Sequence, residues 1–225
     1  MTGLFVTFEG PEGCGKTTQA RLLYEYLREE GHPVVLTREP GGTRISDKVR
    51  EIVLDPNNTE ILPRTEILLF AAARAQLSHE FIRPHLERSN IVISDRYADS
   101  TMAYQGYGQG LELETLRVIT AFATGGLQPD LTIYLDLPVE MGLRRRRGMV
   151  TENHIGGHAG QLPLFAKWDR LDMKELEFHR RVQRGYEKLM EAEPQRWFKV
   201  DAELSVEQIQ DTVRTKVLSL LETRS

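Results

Sequence analysis

The segment that most narrows what this chain can become lies near its amino terminus. Gly10-Pro11-Glu12-Gly13-Cys14-Gly15-Lys16-Thr17 matches G-x-x-x-x-G-K-[ST], and its position matters as much as its spelling. Residues 4–8, Leu-Phe-Val-Thr-Phe, precede it as a compact run rich in strand formers. Ala20, Leu23, Tyr24 and Leu27 follow at i, i+3, i+4 and i+7, the period of a helix with one buried face. A strand that turns through glycines into a helix makes a phosphate cradle. The glycines let backbone N–H groups face phosphate oxygens, and the helix N-terminus adds the positive end of its dipole. In such a loop Lys16 reaches the β and γ phosphates and the Thr17 hydroxyl holds Mg²⁺. A random chain of this length shows the pattern roughly once in a hundred cases, and the strand and helix context lowers that further.

The rest of the chain alternates in the same way. Strand-like runs at 4–8, 34–37, 91–94, 131–135 and 197–200 are separated by longer segments of helical period, the pattern of βαβ units. This predicts an α/β fold with one five-stranded parallel sheet flanked by helices. Gly31 and Pro33 stop the first helix. A helical stretch over 64–88 is bent or interrupted by Pro84. Near the carboxyl terminus Ser205 and Gln208 form a capping box ahead of a stripe of Val206, Ile209, Val213, Val217 and Leu220. One composition shift stands out: 148–165 carries four glycines, a proline and no apolar period, which predicts a mobile surface loop. It follows Arg144, Arg145, Arg146 and Arg147 and precedes a charged helix over 169–193, with Leu176, Val182, Tyr186, Leu189 and Met190 as core contacts. His154 and His158 lie inside it, but the glycines between them oppose a helical metal pair and no third ligand accompanies them.

At 225 residues the expectation is a single domain over 1–225, large enough to need neither disulfides nor a structural metal. The one cysteine, Cys14, reads as a small side chain filling a loop position, since no histidine stands nearby to activate it. With 33 acidic and 29 basic side chains the net charge is -4, which offers nucleic acid no global attraction. Nothing approaches 18 consecutive apolar residues, and Met1 leads straight to the first strand without an export signal, so a cytoplasmic location without membrane contact is expected.

The third strand delivers Asp95 and Arg96 to the carboxyl edge of the sheet, where ligands bind in folds of this class. Asp95 stands where a Mg²⁺ carboxylate belongs, and Arg96 faces the same phosphates. There is no N-K-x-D motif for guanine. A water-activating glutamate after the strand-end aspartate is also missing, because that position is Arg96. Such a P-loop NTPase fold suits transfer of a phosphoryl group to a second phosphate rather than to water.

Five segments, T-F-E-G-P-E-G-C-G-K-T-T from Thr7, T-R-E-P-G-G-T from Thr37, L-F-A-A-A-R from Leu69, D-R-Y-A-D-S-T-M-A-Y-Q-G from Asp95 and P-D-L-T-I-Y-L-D from Pro129, resemble bacterial thymidylate kinases in order and spacing, as does D-R-L-D from Asp169 with Phe178 and Tyr186 after it. The resemblance implies the reaction ATP + dTMP to ADP + dTDP with Mg²⁺, a homodimer, and a lid over about 144–170. It places ATP on Gly10, Pro11, Glu12, Gly13, Cys14, Gly15, Lys16, Thr17 and Thr18, and Mg²⁺ on Thr17 and Asp95. It assigns the dTMP phosphate to Arg38, Arg50 and Arg96, with Glu39 orienting those arginines. Phe70 and Arg74 share a helix face, and the family gives them to thymine, with Ser100, Thr101 and Gln105 completing the base contacts. Tyr104 packs on the deoxyribose and Glu12 meets its 3′-hydroxyl. The neutral loop around Gly13 and Cys14 matches the sub-pattern that carries its catalytic arginines in the lid, so Arg144, Arg147 and Arg170 join Lys16, Asp95 and Arg96 as catalytic candidates. Two rival readings remain: a kinase for another nucleoside or nucleoside monophosphate, and a nucleotide-binding module without catalysis.

Overall fold

The computed structural model describes residues 3–152, 170–171 and 174–224. Strands β1 (Leu4–Glu9), β2 (Val34–Arg38), β3 (Ile91–Asp95), β4 (Leu131–Asp136) and β5 (Trp197–Asp201) form one parallel sheet in the order β2-β3-β1-β4-β5. Every strand runs one residue past its apolar run, and the added residues, Glu9, Arg38, Asp95, Asp136 and Asp201, are all charged. Backbone pairing continues where the apolar run stops, and Glu9 stays buried all the same. The register then sets Arg38 opposite Asp95, Asp95 opposite Phe8, and Glu9 opposite Tyr134.

Period-2 alternation divides the core into two layers. On one face Leu4, Val6, Phe8, Ile91, Ile93 and Ile133 meet Leu23 and Leu27 of α1 (Lys16–Glu29) and Ile209, Val213 and Val217 of α9 (Val206–Arg224). The other face carries Phe5, Val92 and Tyr97 against Leu77 and Ile82, and further along Tyr134 and Trp197 against Phe178, Val182, Tyr186 and Leu189 of α8 (Leu176–Ala192). α9 begins with the expected box: the Ser205 amide donates to Gln208 Oε1 at 3.1 Å and the Gln208 amide to Ser205 Oγ at 3.3 Å.

Between β2 and β3 lie α2 (Arg44–Leu54), capped by Thr43 Oγ1, and α3 (Pro63–Leu77). α3 widens into a π-helical turn at Ser78–Ile82 and continues as α4 (Arg83–Glu87). Pro84 follows this turn, where the ladder changes from i→i−5 back to i→i−4 bonds, and the wide turn takes the place of the expected break. After β3 come α5 (Ala98–Thr101), a second π-helical stretch at Met102–Gly108, and α6 (Leu113–Thr124).

Two expectations about the lid change. α7 (Val139–Glu152) runs through the four arginines and past Gly148, so the predicted loop does not begin there; the arginines are good helix formers and carry the helix onward. The rest of that predicted loop, with His154 and His158, lies outside the described residues, as does Asp169. The following helix starts at Leu176, which is exposed rather than a core contact.

Candidate active site

The carboxyl edge of the sheet borders a cleft of about 400 Å³. β1 is buried along its whole length and fixes the loop that follows. Within that loop Gly13 has φ 70°, and a Cβ there would lie 2.1 Å from the Gly142 carbonyl oxygen of α7. A Cβ on Gly142 would in turn lie 2.1 Å from the Glu12 carbonyl oxygen. The loop and α7 therefore touch backbone to backbone.

Lys16 is the first residue of α1 and is buried. Its ammonium donates to the carbonyls of Gly10, at 3.1 Å, and Pro11, at 2.7 Å. Gly10 and Pro11 thus serve the lysine from within the loop, while Glu12, Gly13, Gly15, Lys16, Thr17 and Thr18 line the cleft. Cys14 turns away into the core, and burial pushes its thiol up, against reactivity. The Thr17 hydroxyl donates to Asp95 Oδ2 from the adjacent strand. Both oxygens border the cleft and both are hard donors of the kind Mg²⁺ takes, so this pair fits that ion. Among the described residues no group of three His, Cys, Asp or Glu could hold a metal ion.

Arg96 stands at the centre. Its backbone has φ 72°, a strained conformation costing roughly 1–3 kcal/mol for a residue that is not glycine. The surroundings hold it there: the Arg96 amide donates to the Phe8 carbonyl at 3.0 Å, and Ser94 Oγ donates to the Arg96 carbonyl at 2.6 Å. The guanidinium donates to Glu12 Oε1 at 2.6 Å and to the Tyr104 hydroxyl at 3.0 Å, and its carbon lies 4.9 Å from the Tyr104 ring centre. Burial pushes the Glu12 carboxyl up, but Arg96 and Lys16 outweigh that and hold it at about 2. Beneath them Glu9 accepts from the Tyr97 amide, Ser100 Oγ and the Tyr186 hydroxyl, at 2.8, 2.7 and 2.7 Å. Burial raises the Glu9 carboxyl despite the nearby Arg96. Glu9 was visible only as a letter in the T-F-E-G segment; its strand-end position was the available signal.

On the other side of the cleft Phe70 and Arg74, four apart on α3, are both buried and both line the wall, with Ser100, Thr101, Tyr104 and Gln105. Arg74 donates to Glu39 Oε2 at 2.8 Å, Thr101 Oγ1 at 2.9 Å and the Tyr97 carbonyl at 3.4 Å. Glu39 therefore orients Arg74, not Arg38, Arg50 or Arg96. Those three have other partners: Arg38 pairs with Asp47 at 3.3 Å, Arg50 donates to the Pro40 carbonyl at 2.8 Å, and Arg96 holds Glu12. All three still line the cleft. Burial pushes the Glu39 carboxyl up to about 7, against the pull of Arg74.

The basic run divides by helical phase. Arg146 lines the cleft, Arg145 donates to the Ala202 carbonyl at 3.1 Å, and Arg144 and Arg147, three apart, are exposed and outside the lining. Arg170 is buried and turned away, paired with Glu66. Of these arginines only Arg146 is brought into the cleft. Four identical letters in a row carried no signal to single it out.

A parallel sheet in this order, with a phosphate loop after its central strand and Asp95-Arg96 at the end of the next, defines the P-loop NTPase fold, in a form arranged for phosphoryl transfer. The family model for thymidylate kinase matches residues 8–213. The thymidylate kinase of Roseiflexus castenholzii is 57% identical over 93% of this chain and 90% of its own length. That of Herpetosiphon aurantiacus is 52% identical over 98% and 97%. The crystal structure of thymidylate kinase from Ehrlichia chaffeensis superposes with a TM-score of 0.71 at 30% identity, covering 98% of this chain and 99% of that one. The chain belongs to the thymidylate kinase family.

Proposed function

We propose that this chain, a dTMP kinase by family, joins ATP and dTMP end to end in the cleft, an oxygen of the dTMP 5′-phosphate attacking the γ phosphorus and ADP leaving. One observation carries the residue assignment: a single cleft is lined both by the nucleotide loop and by Phe70, Arg74 and Gln105, with Arg38, Arg50 and Arg96 in the same wall. Such a reaction asks little covalent chemistry of the protein and much positioning and charge cancellation.

Lys16 is held on two neutral carbonyls. A phosphate oxygen is a stronger, charged acceptor, so the ammonium transfers to the β and γ phosphates of ATP with little movement. Arg96, fixed by Glu12 and Tyr104, bridges the two phosphates as they approach, while Arg38 and Arg50 hold the acceptor phosphate. Arg146 is the arginine of α7 placed to cover the γ phosphoryl group. Thr17 and Asp95 would hold Mg²⁺, which neutralises phosphate charge when bound. The thymine ring stacks on Phe70 and takes hydrogen bonds from Arg74 and to Gln105. Tyr104 covers the sugar.

The chain works as a homodimer in the cytoplasm. Support for self-association comes from the apolar side chains left exposed on two helices that pack together: Leu68 on α3, and Val118 and Phe122, four apart on α6. The location rests on the single buried thiol of Cys14. Phosphorylation of dTMP, dUMP, dCMP and thymidine, followed by ADP release, tests the substrate. dTMP is expected to lead the panel; clear preference for another acceptor, or no turnover at all, would overturn the proposal.

A further inference from the structure

Glu66 lies in the first turn of α3, is 1% exposed, and does not line the cleft. Its Oε1 accepts from Gln105 Nε2 at 2.8 Å and from Gln109 Nε2 at 2.6 Å, and its Oε2 pairs with the Arg170 guanidinium. Arg170 is further tied to α2: its Nε donates to the Val53 carbonyl at 3.2 Å and its amide to the Leu54 carbonyl at 3.3 Å. Its neighbour Leu171 borders the cleft. Three groups, Gln105, Gln109 and Arg170, thus meet at the one buried carboxylate of α3, and Arg170 ties it on to α2.

We infer that Glu66 is a positioning residue that sets base selectivity by fixing which way the Gln105 amide faces, with Arg170 holding Glu66 in register. A carboxylate paired with a guanidinium offers only acceptors. Gln105 must therefore turn its NH₂ group to Glu66, which leaves its carbonyl oxygen for the cleft. An amide without that constraint presents either end, because the two are nearly equal in shape. The distinction matters for pyrimidines. Thymine carries an N–H at ring nitrogen 3 and needs an acceptor facing it; cytosine has a bare nitrogen there beside an exocyclic amine and needs a donor facing that nitrogen. A fixed carbonyl oxygen accepts the first and leaves the second with opposed lone pairs, a mismatch of the kind that costs about 10-fold or more.

This inference rests on the reading that Gln105 meets the base, and the experiment separates the two. The full chain and its Glu66→Gln, Gln105→Ala and double variants are compared for the ratio of kcat/KM on dTMP to that on dCMP. Glu66→Gln lets the amide rotate and is expected to lower the ratio by at least ~10-fold, with the KM for ATP changed less than about twofold. In the double variant the ratio should equal that of Gln105→Ala alone. Because Glu66→Gln strands the Arg170 charge, Glu66→Gln combined with Arg170→Met, which removes both charges, is measured alongside and should show the same fall. If Gln105→Ala shifts the ratio while both Glu66 variants lose activity equally on the two acceptors, Glu66 is structural only and the inference is overturned. If Gln105→Ala leaves the ratio unmoved, the base-contact reading falls and takes the inference with it.

Discussion

Replacing Gly142 by alanine separates stability from activity. The added methyl would lie 2.1 Å from the Glu12 carbonyl oxygen, whereas a carbon and an oxygen in contact need roughly 3.3 Å. Both partners belong to backbone, so no flexible side chain can swing aside, and α7 must withdraw from the nucleotide loop by about 1 Å. The helix itself gains, since alanine is favoured over glycine in a helix interior by about 0.8–1.0 kcal/mol. For a chain of this size that gain is a few degrees of melting temperature, which offsets part of the lost packing. Catalysis has no such compensation. Arg146 moves with α7, and a displacement near 1 Å between groups that must meet in one geometry costs on the order of 100-fold in rate. The expected result is a kcat for dTMP lowered about 100-fold with the melting temperature within about 5 °C of the parent. A coupled assay for ADP and a thermal melt followed by circular dichroism measure the two quantities. Turnover within twofold of the parent would show that the contact between loop and helix does not position the site.

Lys16→Ala should lower turnover at least ~100-fold while the circular dichroism spectrum is kept; an unaffected rate would remove the phosphate-loop mechanism. Arg74→Ala should raise the KM for dTMP far more than that for ATP, and equal losses on both would overturn its assignment to the base. Glu12 supplies a pH dependence whose sign is fixed. Its carboxyl is held at about 2 in the folded chain against an ordinary 4.5, so its stabilising contribution is complete above about 4.5 and is lost as pH falls toward 2. The melting temperatures of Glu12→Gln and the parent should therefore differ most at neutral pH and draw together on acidification. A difference that is constant from pH 7 to pH 3 would contradict the ion pairing with Arg96 and the added attraction of Lys16.

The sheet was legible because its strands are compact runs of Val, Ile, Leu and aromatic residues broken by helical period, fully buried in the centre of the sheet and half-buried at its edges. The same logic explains where the reading stopped short. Glu9, Arg38 and Asp95 end their strands at the ligand edge, where pairing persists but the apolar signal has ended. The cleft wall was likewise readable wherever local spacing placed residues together, as for Phe70 with Arg74, or for Lys16 with Thr17. Pairings between distant elements were not. Glu39 reaches Arg74 across 35 positions and Arg170 reaches Glu66 across 104, and nothing local in either stretch specifies a partner so far away. Gly142 was silent for a related reason, since a glycine in a helix shows its purpose only when another backbone lies against it.

The pairing of the cleft's own cations shapes what can compete for them. Of the arginines proposed for the acceptor phosphate, Arg38 and Arg96 each already hold a carboxylate of the chain. Orthophosphate arriving alone meets guanidiniums whose fields are half cancelled, and must displace an internal anion using nothing but its own charge. A nucleotide arrives with a ring and a sugar that find their own contacts, so its phosphate is delivered to those arginines by tether at high effective concentration. On the proposed assignment, selectivity for nucleotide over salt follows from how the resting charges are shared.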